Sequence, residues 1–369
     1  MKCLAIADLF INAAMMESGL KALRDNGIEV EVREWSHDSV EKLQEDNLRV
    51  EQEGAEAVAL PEALLQGTDD IDILITQFAP VNTAVFDKLP KLKYVGVLRG
   101  GVENVNLQVA NARGVEVMNT PGRNARSVAE FTVGMILAEM RNIARSHDAL
   151  RDKYWRKDSP NHQAIPELGG KVVGLVGLGH IAQLVAGFLS GFGTEIIFYD
   201  KYVAGHERYE KVDSLDELVQ RADVISLHAR LTPETENLIN AHHFALMKRS
   251  AIIVNTARSG LINEKEMIDA LRSGQIMGAA LDTFDDEPLP DDSAFYTLNN
   301  VTITPHIAGS TIDAFSNSPK LFAEILLKKL SLILKEPLKV LTGPNGHGFT
   351  RAQFARLLRN HYGYYQQHY

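Results

Sequence analysis

Residues 171–200, KVVGLVGLGHIAQLVAGFLSGFGTEIIFYD, read as strand, tight turn, helix and second strand. Residues 172–176 are a nearly unbroken apolar run, the pattern of a parallel strand buried on both faces. Gly177, Gly179 and Ala182 follow as Gly-x-Gly-x-x-Ala. The first glycine permits the turn, the second lets a pyrophosphate approach the backbone, and the small third residue lets helix pack on strand. The helix N-terminus then offers unpaired amides to phosphate. A second apolar run, 196–199, ends at Asp200, where a carboxylate can accept hydrogen bonds from a ribose 2'-hydroxyl and would repel the extra phosphate of NADP. The expected cofactor is therefore NAD.

Outward from this unit the chain alternates strands and helices, which indicates a parallel α/β sheet. Before it, strands are expected at 2–7, 29–33 (an exposed edge), 71–76, 92–98 and 114–118. Helical patterns fall at 15–26, closed by Gly27, at 40–65, at 81–89 and at 128–147, the last capped by Ser127 or Asn124 with Glu130 in a reciprocal box. After it, strands are expected at 224–227, 251–255, 278–282 and 301–304. Helices are expected at 215–221, within 233–247, at 264–273 and at 314–335. Asp200, His228, Arg258, Asp282 and His306 all stand at C-terminal ends of predicted strands, the edge where open α/β sheets bind ligands.

Arg258 in VNTARSG, Glu287 in LDTFDDEP and His306 in TPHIAGS form a set suited to hydride chemistry on a 2-keto or 2-hydroxy acid. Arginine offers a planar fork for a carboxylate and a donor that polarises the neighbouring carbonyl. Histidine can give a proton to the developing alkoxide or take it back, and a glutamate beside it fixes the tautomer and favours the protonated ring. His228 reads as structural or cofactor-lining. The histidines and acids show no metal-ligand spacing, so no metal is expected.

The 369 residues are enough for two domains, each with its own core. A net charge of -10 argues against a nucleic-acid or anionic-membrane surface. A single cysteine, Cys3, can make neither an intrachain disulfide nor a metal cluster, no apolar run reaches membrane length, and no signal sequence stands out. A cytoplasmic protein is expected. Tyr154 and Trp155 lie in a polar span and read either as solvent-covered or as a subunit contact. Residues 343–369 change character, with arginine, tyrosine and histidine but no acids, and read as a surface extension.

Five segments resemble the D-isomer-specific 2-hydroxyacid dehydrogenases, especially their phosphoglycerate dehydrogenase-like branch: NTPGRNARSVAE (119–130), GLGHIA (177–182), VNTARSGLINE (254–264), ALDTFDDEPLP (280–290) and TPHIAGST (304–311). The resemblance implies two Rossmann-like doubly wound parallel-sheet domains with the active site in the cleft between them. Residues 120–308 would form the NAD-binding domain, inserted into a substrate domain of 1–119 and 309–342. It implies Arg258 as the substrate-binding arginine, Glu287 as its supporting glutamate and His306 as the acid/base. Gly177, Gly179, His180, Ile181 and Asp200 would hold the cofactor, with Thr256, Ala257 and Asp282 around the nicotinamide. Backbone amides of Gly100, Gly101 and Val102 would hold the substrate carboxylate. A homodimer through the nucleotide domain is implied, with a small 2-hydroxy or 2-keto acid as substrate.

Two features depart from the family pattern. Arg99 stands where a glycine is usual and Glu103 where an aspartate is usual, so Arg99 is expected to bind a second anionic group, a phosphate or distal carboxylate. The residues after Thr342 are too few for a regulatory domain, so serine feedback is not expected. Glyoxylate or hydroxypyruvate reduction is the enzymatic alternative. A non-catalytic NAD(H)-sensing corepressor-like protein is the alternative of another class, by analogy of fold alone.

Overall fold

A computed structural model describes residues 1–162 and 165–333; the 343–369 extension lies outside them. Two sheets, both wholly parallel, organise the chain. The first contains β1 (Lys2–Ala7), β2 (Glu29–Glu34), β3 (Ile73–Thr76), β4 (Tyr94–Val97) and β5 (Glu116–Asn119), in the order β2-β1-β3-β4-β5. The second contains β6 (Val172–Val176), β7 (Glu195–Tyr199), β8 (Glu210–Lys211), β9 (Val224–Leu227), β10 (Ile252–Asn255), β11 (Gly278–Leu281) and β12 (Val301–Ile303), in the order β12-β11-β10-β9-β6-β7-β8. In each sheet the order reverses beside one strand, β1 in the first and β6 in the second, and that switch opens a crevice at the C-terminal edge.

Each sheet is covered on both faces because its strands alternate apolar side chains between two cores. In β1, Leu4 and Ile6 enter one core while Cys3, Ala5 and Ala7 enter the other. In β10, Ile253 faces one core and Ile252 and Val254 the opposite one. The last described helix, Ile312–Ile333, returns to the first sheet. Its Phe322 is fully buried and lies flat on β4, where a Cβ on Gly96 would come within 2.2 Å of the ring. Glycine is needed there for space, and truncating such a buried phenylalanine typically costs ~3–5 kcal/mol.

Several helices are shorter than their sequence patterns. The 15–26 pattern is two helices, Ala13–Gly19 and Lys21–Asp25, with Gly19 pressed against Pro319 so closely that a Cβ would lie 2.6 Å away. The 40–65 pattern stops as an α-helix at Glu53, because Gly54 turns to φ 89°. The 128–147 pattern begins at Ala125, ends at Met140, and restarts at Ile143 after Asn142 adopts a left-handed conformation. The expected capping box is absent there: the Ser127 hydroxyl donates to the Ala308 carbonyl and Glu130 pairs with Arg126. Only Ala241–Leu246 is α-helical within 233–247, capped by Asn240. The short helix Leu107–Ala112 lay beneath sequence recognition. No described helix is long and apolar enough to cross a membrane.

Candidate active site

The turn after β6 has the geometry a phosphate cradle requires. Gly177 sits at φ 90°, and a Cβ there would lie 3.0–3.1 Å from the backbone of His228 and Ala229, so only glycine fits. Gly179 precedes the helix His180–Leu189, and a Cβ on it would meet nothing within 4 Å, which leaves the helix N-terminus open to an approaching oxyanion. Within that helix Ala182 is fully buried and Ile181 packs partly into the same core. His180 is half-buried, which lowers its pKa, and its Nδ1 lies 3.5 Å from where a Cβ on Gly122 would stand.

Asp200 follows β7 with Oδ2 accepting from the Leu178 amide at 2.8 Å and Oδ1 from those of Tyr202 and Val203 at 2.7 and 2.9 Å. Partial burial works against its charge, but the three amides outweigh it and hold the carboxyl below its ordinary value. It is thus ionised and stitched to the glycine turn, as a ribose acceptor should be. His228, after β9 at the switch point, hydrogen-bonds through Nε2 to Ser226 Oγ at 2.9 Å, and burial pushes it down to about 4, so its ring is neutral near pH 7.

Arg258, Asp282 and His306 lie beyond the ends of β10, β11 and β12, three adjacent strands spaced ~4.8 Å apart. Asn255 shapes the turn that presents Arg258: its Oδ1 accepts from the Ala257 amide and its Nδ2 donates to the Arg258 carbonyl at 2.8 Å. Arg258 is exposed, donates through Nη1 only to the Ala257 carbonyl, and has no ion-pair partner among the described residues. Thr256 is buried, its hydroxyl 2.7 Å from that of Thr132.

His306 and Glu287 meet: Nδ1 lies 2.8 Å from Oε2, while Oε1 of Glu287 accepts from the Phe284 amide at 3.0 Å. The second oxygen therefore fixes the carboxylate, and the carboxylate fixes the ring, leaving Nε2 as the nitrogen open to a substrate. His306 itself is at φ 52°, a conformation costing a side-chain-bearing residue ~1–3 kcal/mol. Asp282 offsets that strain. Fully buried, it accepts at Oδ1 from Thr304 Oγ1 at 2.6 Å and the Ile307 amide at 3.0 Å, and at Oδ2 from the Ala308 amide at 2.9 Å. The carboxylate expected beside the nicotinamide thus also grips the loop that carries the histidine.

In the first sheet, Gly100, Gly101 and Val102 form the loop after β4. The Gly100 carbonyl accepts from Asn119 Nδ2, and Gly101 has no room for a Cβ against the Glu103 carboxylate. Arg99 is not free: Nη1 donates to Asn47 Oδ1 at 2.8 Å, Nη2 pairs with Glu51 and lies 3.3 Å from Glu103, and the guanidinium stacks over Phe78. Among the described residues no cluster of histidine, cysteine and acids could hold a metal.

Sequence reading passed over Asn255 and the loop-holding role of Asp282. It also passed over Asp8 and Gln77, which follow β1 and β3 as buried polar residues. The signal was available, since both stand at the C-terminal ends of strands, the rule that singled out the residues of the second sheet.

Residues 133–308 match the family described as D-isomer specific 2-hydroxyacid dehydrogenase, NAD binding domain. The chain is 41% identical over 312 residues to a D-3-phosphoglycerate dehydrogenase of Methanocaldococcus jannaschii, covering 82% of this chain and 58% of that protein. It is 37% identical over 296 residues to a glyoxylate reductase of Thermofilum pendens, covering 76% and 86%. The NAD-complexed D-isomer specific 2-hydroxyacid dehydrogenase of Lactobacillus delbrueckii superposes with a TM-score of 0.69 at 25% identity, covering 92% of this chain and 99% of that one. The chain spans little more than half the length of the phosphoglycerate dehydrogenase it matches, and most of the other two. With the residues of the glycine turn and the Glu287–His306 pair in place, the chain belongs to the D-isomer specific 2-hydroxyacid dehydrogenase family.

Proposed function

We propose that this protein interconverts a D-2-hydroxy acid and its 2-keto acid with NAD, using Arg258, Glu287 and His306. The observation that carries the reading is the 2.8 Å contact between His306 and Glu287 on the same sheet edge as Arg258 and the glycine turn. The Gly177–Gly179 turn and Asp200 would hold NADH, which when bound would supply a hydride for the carbonyl carbon. Arg258 binds the substrate carboxylate and polarises the adjacent carbonyl, while the Gly100–Val102 backbone faces the carboxylate from the first sheet. As the carbonyl oxygen gains charge, His306 gives it the Nε2 proton, while Glu287 holds Nδ1 and so the orientation of the ring. In the oxidative direction the same nitrogen takes the proton back. Substrates with a second acidic group, like phosphoglycerate, are favoured over glyoxylate and hydroxypyruvate. Both kinds occur among the relatives.

The test is NADH oxidation against a panel of 2-keto acids with and without a distal phosphate or carboxylate, repeated with NADPH. Turnover is expected with NADH and a marked preference over NADPH, because the Asp200 carboxylate meets the 2'-phosphate. If NADH binds but no 2-keto acid turns over, the catalytic reading is wrong.

A homodimer accompanies this reading. The helix Ile143–Arg151 buries none of its residues, and Ile143, Leu150, Tyr154 and Trp155 are 53–75% exposed, an apolar face that a second subunit would cover. Sedimentation should give the dimer mass, and L150S/W155S should shift it to the monomer. A wild-type monomer at micromolar concentration would refute the assembly.

A further inference from the structure

The first sheet ends in a polar cluster that the chemistry above does not use. Asp8 follows β1, Gln77 follows β3, Asn104 closes the loop after β4, and Arg123 lies in the crossing after β5. Asp8, Gln77 and Asn104 are at most 1% exposed. Asp8 Oδ2, both amide atoms of Gln77, Asn104 Oδ1 and Arg123 Nη1 are buried without a hydrogen-bond partner. These are five of the eight such side-chain atoms among the described residues. Buried polar atoms are ordinarily partnered, and an unmet charged donor is the costliest exception. So many at one sheet edge suit a polar occupant.

The charges say which kind. Arg99 is answered by Glu51 and Glu103, whereas Arg123 has no ion-pair partner among the described residues. Burial and the neighbouring Arg99 push the Arg123 guanidinium down to about 10, so it remains a cation near neutrality. Asp8 attracts it from beyond ion-pairing range, but Asp8 Oδ1 is taken by the Phe10 and Ile11 amides, and burial raises its carboxyl to about 6. The walls are aromatic. Arg123 stacks over Phe315 at 5.1 Å, Phe315 meets Phe10 at 5.1 Å, and Phe10 meets Phe78, on which Arg99 rests.

This cluster is tied to both halves of the site. Thr120 receives the Arg123 amide at its carbonyl and donates its own amide to the Arg99 carbonyl. Ser127 binds the Ala308 carbonyl, and Asn124 fills the space beside Gly309, so the segment bearing Arg123 rides on the loop that follows His306.

We propose that Arg123 and the Gln77 amide hold a second anionic group of the substrate, a carboxylate or phosphate distal to the 2-keto acid end, while Arg99 walls that subsite. This rests on the reaction proposed above. It moves the anion-binding role expected of Arg99 to a guanidinium whose charge is still available.

The test is the ratio of kcat/KM for an anion-bearing 2-keto acid to that for glyoxylate, read by NADH oxidation in one preparation so that the fraction folded cancels. Oxaloacetate carries the distal carboxylate and 3-phosphohydroxypyruvate the phosphate; whichever is preferred identifies the group. The wild-type ratio should be ~10 or more for one of them. Arg123→Met should lower it ~10–100-fold, the worth of a charge-assisted hydrogen bond, Arg123→Lys less, and Gln77→Leu several-fold. A wild-type ratio near unity for both acids, or a ratio unmoved in Arg123→Met, overturns the subsite and leaves the reaction standing. No turnover of any 2-keto acid overturns both.

Discussion

Replacing His306 with glutamine is expected to lower kcat for 2-keto acid reduction by ~10²–10⁴-fold, the usual contribution of a positioned general acid. Glutamine keeps much of the volume and can still hydrogen-bond Glu287, but it has no proton to give at working pH. Cofactor binding should survive, because the glycine turn and Asp200 are held by separate contacts. The measurement is single-turnover NADH oxidation beside NADH affinity from fluorescence. Loss of rate with affinity retained is the expected pattern, and a rate within about threefold of wild type would remove His306 from the chemistry. Glu287→Gln should move in the same direction by less, since the ring would keep a hydrogen-bonding neighbour but lose the carboxylate that holds Nδ1 at 2.8 Å.

Arg258→Lys is expected to cost ~10²–10³-fold in kcat/KM, comparable to deleting one donor from an oxyanion site. The substitution keeps the charge, so the loss would report geometry. A lysine cannot present two parallel donors to a carboxylate while aiming another at the carbonyl. Both KM and kcat should worsen, because the fork acts on the bound substrate and on the charge that develops later. In Arg258→Ala, added guanidinium salt should restore part of the rate, as the side chain is exposed and has no ion-pair partner among the described residues. An unchanged kcat/KM in Arg258→Lys would mean the fork is not engaged.

How far the sequence reveals this arrangement depends on the range of the interactions involved. The nucleotide unit was legible because its determinants are local: an apolar run, a glycine that must adopt φ 90° and an acid after the next strand all lie within thirty residues. The strand ends carrying Arg258 and His306 were legible for the same reason, since alternation of strand and helix sets the edge on which they stand. Asp282 shows the limit. Its position at a strand end was visible, yet its grip on the Ile307 and Ala308 amides depends on a neighbouring strand arriving in register. The break at Asn142 and the pairing of Ser127 with Ala308 were likewise invisible, because tertiary packing overrode helix periodicity and capping preference. Arg99 is expected from the sequence to bind a second anionic group, whereas the fold brings Glu51 to it from a distant helix.

The division of the polar edge residues between two sheets has a consequence for altering the protein. Arg258, Glu287 and His306, with the loop grip of Asp282, all come from the second sheet, while Asp8, Gln77, Arg99 and the Gly100–Val102 loop come from the first. On the reaction and subsite proposed above, selectivity and hydride chemistry would draw on different cores. A library confined to residues 8, 77, 99 and 123 would search new substrates while leaving the reducing apparatus intact. Exchanging the first sheet between relatives would have to carry the helix Ile312–Ile333 with it, because Phe322, Ala323 and Leu326 complete that sheet's core, as a tool head is changed together with its collar.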